Sequence, residues 1–246
     1  MSEALKSMPL LDHLKALRKV LAVSFGVLIV GTLLCWAFSE RILVLITELL
    51  PNEEAAHIFS PPEAFLIRLK VSAFTALFLG LPFIFYQIWA FIAPGLFLPE
   101  KRRIFPVFLS SVVLFYLGSY FAYTVIIPIM MNYFFGLSPE GTEMTVGISQ
   151  LFSVVSRLSL AFGIVFQLPV VILVLSVLGV VSPGWLLSQW RIALLLMLLF
   201  SSLLTPPDLI SQIAMTLPLF LLYLLSALIA ILARGKRGRV DSAEDP

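Results

Sequence analysis

Residues 158–181 read LSLAFGIVFQLPVVILVLSVLGVV, and this stretch decides the class of fold. It contains no Asp, Glu, Lys or Arg. As an α-helix it would be about 36 Å long, which is enough to cross a bilayer hydrocarbon core of about 30 Å. Gly163 and Pro169 lie inside it, and a proline leaves a backbone carbonyl without its hydrogen bond. The stretch therefore predicts a transmembrane helix that bends near its middle.

Five other segments are equally free of charged residues, and they occupy residues 21–38, 71–92, 104–127, 192–204 and 213–232. The composition agrees, because 60% of the residues are hydrophobic and only 12% are charged, too few to coat a soluble protein. We predict an all-α integral membrane protein with six transmembrane helices in a bent bundle.

Segment 192–204 is short, since as a helix it reaches only about 20 Å. It must draw polar flanking residues inward or thin the bilayer nearby. Ser182 followed by Pro183 is a typical helix start, and Thr205-Pro206-Pro207 forces a stop.

The distribution of Lys and Arg predicts the orientation. With six spans, four of the 16 cations fall on one side of the membrane: Arg41, Arg68, Lys70 and Arg157. The others share the side of the N-terminus, which predicts that both termini are cytoplasmic. We expect an amphipathic helix along the interface at residues 1–20, a membrane domain at 21–232 and a disordered charged tail at 233–246. The long outer loops at 39–70 and 128–157 are expected to form an extracytoplasmic cap.

Residues for catalysis or metal binding are scarce. His13 and His57 are the only histidines and are predicted on opposite sides of the membrane, and Cys35 is the only cysteine. We therefore expect no enzyme, no metal and no cofactor. A small-molecule secondary transporter is the alternative function, but the ionisable residue that such carriers commonly place inside a span is missing from all six predicted spans.

The loop between the second and third predicted spans, residues 91–103, reads FIAPGLFLPEKRR. One carboxylate, Glu100, stands beside three cations. It could pair with these neighbours in an ordinary positively charged loop. Alternatively, it could receive a guanidinium from a partner, because a carboxylate accepts Arg through two parallel hydrogen bonds.

This loop and several later motifs together resemble the TatC family, the multi-span receptor subunit of the twin-arginine protein translocase. The later motifs are FYLG at 115–118, FAY at 121–123, SPEG at 138–141, AFG at 161–163 leading to Pro169, and LTPPD at 204–208 with Ser211-Gln212. The resemblance runs from about His13 to Leu232. It implies a glove-shaped, six-span bundle in the bacterial cytoplasmic membrane that binds twin-arginine signal peptides. It also implies self-association, TatA- and TatB-type single-span partners, and export of folded proteins by the proton-motive force, without catalysis or nucleic acid.

The resemblance assigns Phe91, Pro94 and Glu100 to the signal-peptide-binding loop. Arg18 matches the Arg of the family's H-L-x-E-L-R motif, but Ala16 stands where the family usually has Glu. Asp12 lies one helical turn before Ala16, and we hypothesise that it supplies the missing carboxylate. The alternative is that Asp12 only stabilises the start of the helix.

The remaining candidates are polar residues at the ends or in the middle of spans. Gln167 stands where the family often has Glu, and it either joins helices or forms a polar patch for a partner. Asp208 is expected to cap the sixth span, with Gln212 beside it as a structural or partner contact. Pro61 and Glu63 belong to a segment like the family's S-P-x-E, or to a simple turn into the second span.

Overall fold

The computed structural model describes residues 10–50, 56–92, 104–139, 145–177, 179–204 and 208–241. The helices are α1 Leu10–Cys35, α2 Ser39–Thr47, α3 Pro61–Ile92, α4 Ile104–Phe121, α5 Ile127–Gly136, α6 Ile148–Val165, α7 Leu168–Val177, α8 Pro183–Ser188, α9 Trp190–Leu204 and α10 Leu209–Asp241. A 3-10 turn, Trp36–Phe38, joins α1 to α2, and a π-helical turn, Ala122–Ile126, joins α4 to α5.

The predicted fold class is confirmed, because five helical stretches are long and apolar enough to cross a membrane and a shorter apolar helix stands beside them. The long stretches are Ala22–Thr47, Pro61–Trp89, Phe105–Gly136, Ile148–Ser176 and Leu209–Ile231, and the shorter one is α9. These helices extend further than the predicted spans. Arg68, Lys70 and Arg157 ended the apolar runs in the sequence, but a charged side chain near a helix end can reach the headgroups while the backbone stays helical.

The chain divides into two compact units, and the first contains residues up to Leu45 together with Ile58–Val112. Here α1 packs along α3. A Cβ added at Gly31 would lie 3.1 Å from Ala76 Cβ, so the two backbones approach closely at this point. The ring of Trp36 contacts that of Phe65, with 5.5 Å between centroids. In lipid, such close contacts provide much of the attraction between helices.

The second unit contains Ile46–His57 and everything from Val113 onward. In it α4 and α6 meet through two glycines. A Cβ added at Gly118 would lie 2.7 Å from the Phe162 carbonyl oxygen, and one at Gly163 would lie 2.7 Å from Ser119 Oγ. Ser119 Oγ donates a hydrogen bond of 2.9 Å to the Ser159 carbonyl.

The predicted outer loops are shorter than expected, since α2, α3, α5 and α6 occupy much of residues 39–70 and 128–157. The two loops pair with each other within the second unit. Strands β1 (Ala56–His57) and β2 (Val146–Gly147) form a parallel ladder in which Ala56 faces Val146 and His57 faces Gly147. This ladder is the described part of the expected cap.

The structure adds detail at three segment ends. The helix α1 runs from Leu10 to Cys35 without a break near residue 20. The helix α10 continues to Asp241, and Lys and Arg are good helix formers. The division of the chain into an N-terminal segment, a membrane domain and a tail stays a prediction. Ser182 does cap a helix, accepting from Trp185 N–H at 3.2 Å, but this helix is the short α8, which ends before Gln189.

Candidate functional site

The described part of the predicted peptide-binding site lies at one end of the α1–α3 pair. The two helices are antiparallel: a Cβ added at Gly31 would lie 3.1 Å from Ala76 Cβ, and one added at Gly80 would lie 4.0 Å from Leu28. The N-terminal part of α1 and the C-terminal part of α3 therefore lie toward the same end of the pair. Arg18 belongs to that part of α1, and Phe91 belongs to the last turn of α3.

The same end of α3 is fixed to the start of α4. Trp89 Nε1 donates a hydrogen bond of 3.2 Å to Ser111 Oγ, and Ser111 is buried. One turn earlier, the rings of Tyr86 and Phe108 pack edge to face with their centroids 6.1 Å apart. These contacts hold together the two helix ends that the 93–103 segment connects. The sequence alone does not predict these contacts, although aromatic residues near a span end are typical of a membrane interface.

The predicted recognition residues are described to different extents. Arg18 has an exposed side chain. Asp12 belongs to the first turn of α1 and Phe91 to the last turn of α3, with their backbones described. Pro94 and Glu100 lie outside the described residues. Arg18 and Phe91 thus lie toward the same end of the α1–α3 pair, and the roles of all five residues remain predictions.

Gln167 lies where the fourth span is broken between α6 and α7, as the sequence predicted. Phe166 N–H donates to the Phe162 carbonyl at 2.8 Å, and Gln167 N–H donates to the Ile164 carbonyl at 3.0 Å, which closes α6. Pro169 has no N–H to continue the ladder, so the helix restarts after the break. The Gln167 side chain is half-buried.

Asp208 caps α10, as predicted: its Oδ2 accepts a hydrogen bond of 2.7 Å from Ser211 N–H. Its Oδ1 is buried and has no hydrogen-bond partner among the described residues, and the same is true of Ser211 Oγ.

Gln212 has a structural role that links α10 to α9. Its Nε2 donates to the Leu198 carbonyl at 3.0 Å. One turn further along, the hydroxyls of Ser201 and Thr216 lie 3.0 Å apart and share a hydrogen bond in a buried position. The sequence does not predict the contact between Ser201 and Thr216, because isolated hydroxyl residues are common in apolar spans.

Pro61 and Glu63 begin α3. Pro61 is its first residue, and Glu63 Oε2 accepts a hydrogen bond of 2.9 Å from Phe59 N–H, while Glu63 N–H donates to the Ser60 carbonyl at 3.1 Å. This arrangement resembles a capping box and agrees with a turn into the second span.

The buried polar side chains of the described residues serve mainly to join helices. No group of three His, Cys, Asp or Glu in the described ranges could hold a metal ion. The buried polar residues described in the two units are serines and one threonine. Hydroxyls of this kind join helices, as those of Ser119 and Ser201 do.

Comparison with known proteins agrees with the resemblance seen in the sequence. The family model described as "Sec-independent protein translocase protein (TatC)" matches residues 12–218. A protein of that name from Magnetococcus marinus is 35% identical over 241 residues, which cover 96% of this chain and 89% of the relative. The Aquifex aeolicus protein of the same name is 32% identical, with coverage of 96% and 100%.

Two crystal structures of the twin-arginine translocase receptor TatC have a similar fold. The one determined in DDM gives a TM-score of 0.80 at 31% identity, covering 89% of this chain and 99% of the other. The second gives 0.78 at 30% identity, covering 90% and 99%. The names of these relatives give no support to the alternative of a small-molecule transporter.

Proposed function

The chain belongs to the TatC family of Sec-independent protein translocase proteins, and on that basis we propose that it binds twin-arginine signal peptides at the α1–α3 end described above. It is a multi-pass membrane protein and a translocase component, not an enzyme. The observation that supports the proposal is the antiparallel packing of α1 on α3, because it puts the parts of the chain that contain Arg18 and Phe91 toward the same end of the pair.

Glu100 is the proposed acceptor for one arginine of the signal peptide. A carboxylate binds a guanidinium through two parallel charge-assisted hydrogen bonds, a geometry that a lysine ammonium does not offer. The segment that carries Glu100 connects two helix ends held together by Trp89 and Ser111. A fixed base of this kind limits the positions that the two ends of the segment can take, and such preorganisation favours binding. Asp12, on the first turn of α1, is the proposed second acceptor.

The proposed orientation follows from charge. The cations near this end, Arg18 and Lys101-Arg102-Arg103 among them, indicate that it faces the cytoplasm. Both termini are then cytoplasmic, and the membrane is the bacterial cytoplasmic membrane. The apolar part of a signal peptide would continue from the charged loop along the helices.

Partner binding is proposed for two polar positions in the second unit. Gln167, half-buried at the break of the fourth span, and Gln212, at the α9–α10 contact, are amides in apolar helices that could hydrogen-bond a neighbouring span. TatA- and TatB-type single-span proteins and further copies of this chain are the proposed partners. The proton-motive force is the proposed energy source.

Binding of a synthetic twin-arginine signal peptide to the purified chain in detergent tests the proposal. Glu100→Gln removes the charge and one acceptor, and we expect affinity to fall about 10- to 100-fold, as for the loss of a hydrogen-bonded ion pair. A Lys-Lys peptide should also bind the unaltered protein more weakly. On the Glu100→Gln variant the same exchange should cost less, because only the proposed Asp12 contact is left to lose.

Glu63→Gln is the matched control, because Glu63 caps the opposite end of α3. We expect this variant to bind the peptide normally. The proposal is contradicted if neither Glu100→Gln nor the Lys-Lys exchange changes the affinity for the peptide. Asp12→Ala then tests the second acceptor, whose role is excluded if this change leaves affinity unchanged.

A further inference from the structure

Arg157 is an exposed cation inside α6, although the sequence placed it in a loop. The opposite face of the helix is packed, since Val155, Leu158 and Phe162 are buried. Within the ranges that the structure covers, no carboxylate forms an ion pair with Arg157. A guanidinium on the exposed face of a transmembrane helix is stabilised by pairing or by reaching the headgroup layer.

The depth of Arg157 can be estimated along its own span. The apolar stretch that contains it ends at Ser176, and the helical rise puts the two residues at most about 28 Å apart, because the span bends between α6 and α7. Because the hydrocarbon core is about 30 Å thick, Arg157 is level with one headgroup layer when Ser176 is near the other.

Arg68 provides an internal comparison. It lies about 31 Å before Trp89, where its own apolar stretch ends, and therefore reaches a similar depth along α3. Its guanidinium is paired with Glu40 at 3.2 Å. Of these two arginines, Arg68 has a carboxylate partner among the described residues and Arg157 has none there.

The helix face around Arg157 also carries two serine hydroxyls that already donate hydrogen bonds within the helix. Ser153 Oγ donates to the Ser149 carbonyl at 2.7 Å, and Ser156 Oγ donates to the Ser153 carbonyl at 3.3 Å. Ser153 is one turn before Arg157 and thus its neighbour on the helix surface. A ligand here must bring negative charge for the guanidinium, and its own donors would meet the serine oxygens.

We propose that Arg157 binds the phosphate of a phospholipid headgroup. Guanidinium and phosphate pair through two parallel hydrogen bonds, and the headgroup layer presents phosphate at the depth where Arg157 is exposed. The ammonium or hydroxyl groups of the common bacterial headgroups supply the donors that the serine oxygens accept. This inference does not depend on the proposed signal-peptide site.

Native mass spectrometry of the full chain released from nanodiscs tests the proposal. The nanodiscs contain equal amounts of phosphatidylglycerol and a neutral glycolipid with the same acyl chains. The unaltered protein should retain the phospholipid in preference to the glycolipid. Arg157→Gln should reduce that preference about fivefold, the equivalent of about 1 kcal/mol for one cation at an anionic surface. Arg157→Lys should keep part of it.

Arg68→Gln is the control, because it removes an arginine of similar depth whose charge is already paired. We expect its lipid preference to match that of the unaltered protein. Circular dichroism should show all variants folded, since the Arg157 side chain is exposed. The proposal is wrong if Arg157→Gln retains the full preference, or if Arg68→Gln loses as much. Either result would favour a carboxylate, of this chain or of another membrane protein, as the partner of Arg157.

Discussion

Two helix contacts in the second unit, α4–α6 and α9–α10, are built on different principles. The α4–α6 contact depends on Gly118 and Gly163, where any Cβ would meet the neighbouring helix. The α9–α10 contact depends on side-chain hydrogen bonds from Gln212 and between Ser201 and Thr216. Lipid tails are as apolar as leucine, so burial of apolar surface alone does not join helices in a bilayer. The two contacts show the two available substitutes, close approach and hydrogen bonding.

The largest effect is expected at the close contact. In Gly163→Ala the new Cβ would lie 2.5 Å from Phe115 Cε2 and 2.7 Å from Ser119 Oγ, and Phe115 is itself buried. We expect about 1–3 kcal/mol less stability, measured by thermal unfolding in detergent. Gly136→Ala is the control, because nothing lies within 4 Å of its Cβ. Equal stability of the two variants would mean that α4 and α6 do not need the glycine.

A smaller effect is expected where α10 begins. Asp208→Ala removes the acceptor for Ser211 N–H and should cost about 1 kcal/mol, whereas Asp208→Asn keeps a good cap and should cost little. Unfolding of both variants in the same detergent measures the difference. If Asn destabilises as much as Ala, the carboxylate has a role other than capping, and its second oxygen, which has no partner in the described part of the chain, is the place to look.

The smallest effect is expected from the hydrogen bond between α9 and α10. A double-mutant cycle of Ser201→Ala and Thr216→Val should give a coupling energy of about 0.6 kcal/mol, the average for hydrogen bonds between membrane helices. Ser226→Ala is the control substitution, because the Ser226 hydroxyl donates within its own helix, to the Leu222 carbonyl. A coupling energy larger than the stability lost in Gly163→Ala would mean that hydrogen bonding contributes more than close approach.

The sequence predicts the six spans because each is an uninterrupted apolar run, and it predicts the Asp208 cap because capping is local chemistry. The ends of the helices are harder to predict from the sequence, because Arg157 ends an apolar run without ending the helix. The contacts that a residue makes with other helices are the hardest to predict from the sequence. Gly163 and Gly136 are the same residue type within apolar segments, yet only one meets a neighbouring helix. The partner of Gln212 is a backbone carbonyl, which has no signature in any sequence.

The π-helical turn between α4 and α5 has a consequence for how this span can change in evolution. Ile127 N–H bonds to the Ala122 carbonyl, five residues earlier, so the turn holds one residue more than an α-helix needs. The wide turn also gives room for the ring of Pro128, which an ordinary turn would press against a carbonyl. Deleting one residue between Ala122 and Ile126 would leave the same faces of α4 and α5 toward their neighbours. Elsewhere in the span, the same deletion would rotate everything beyond it by about 100°.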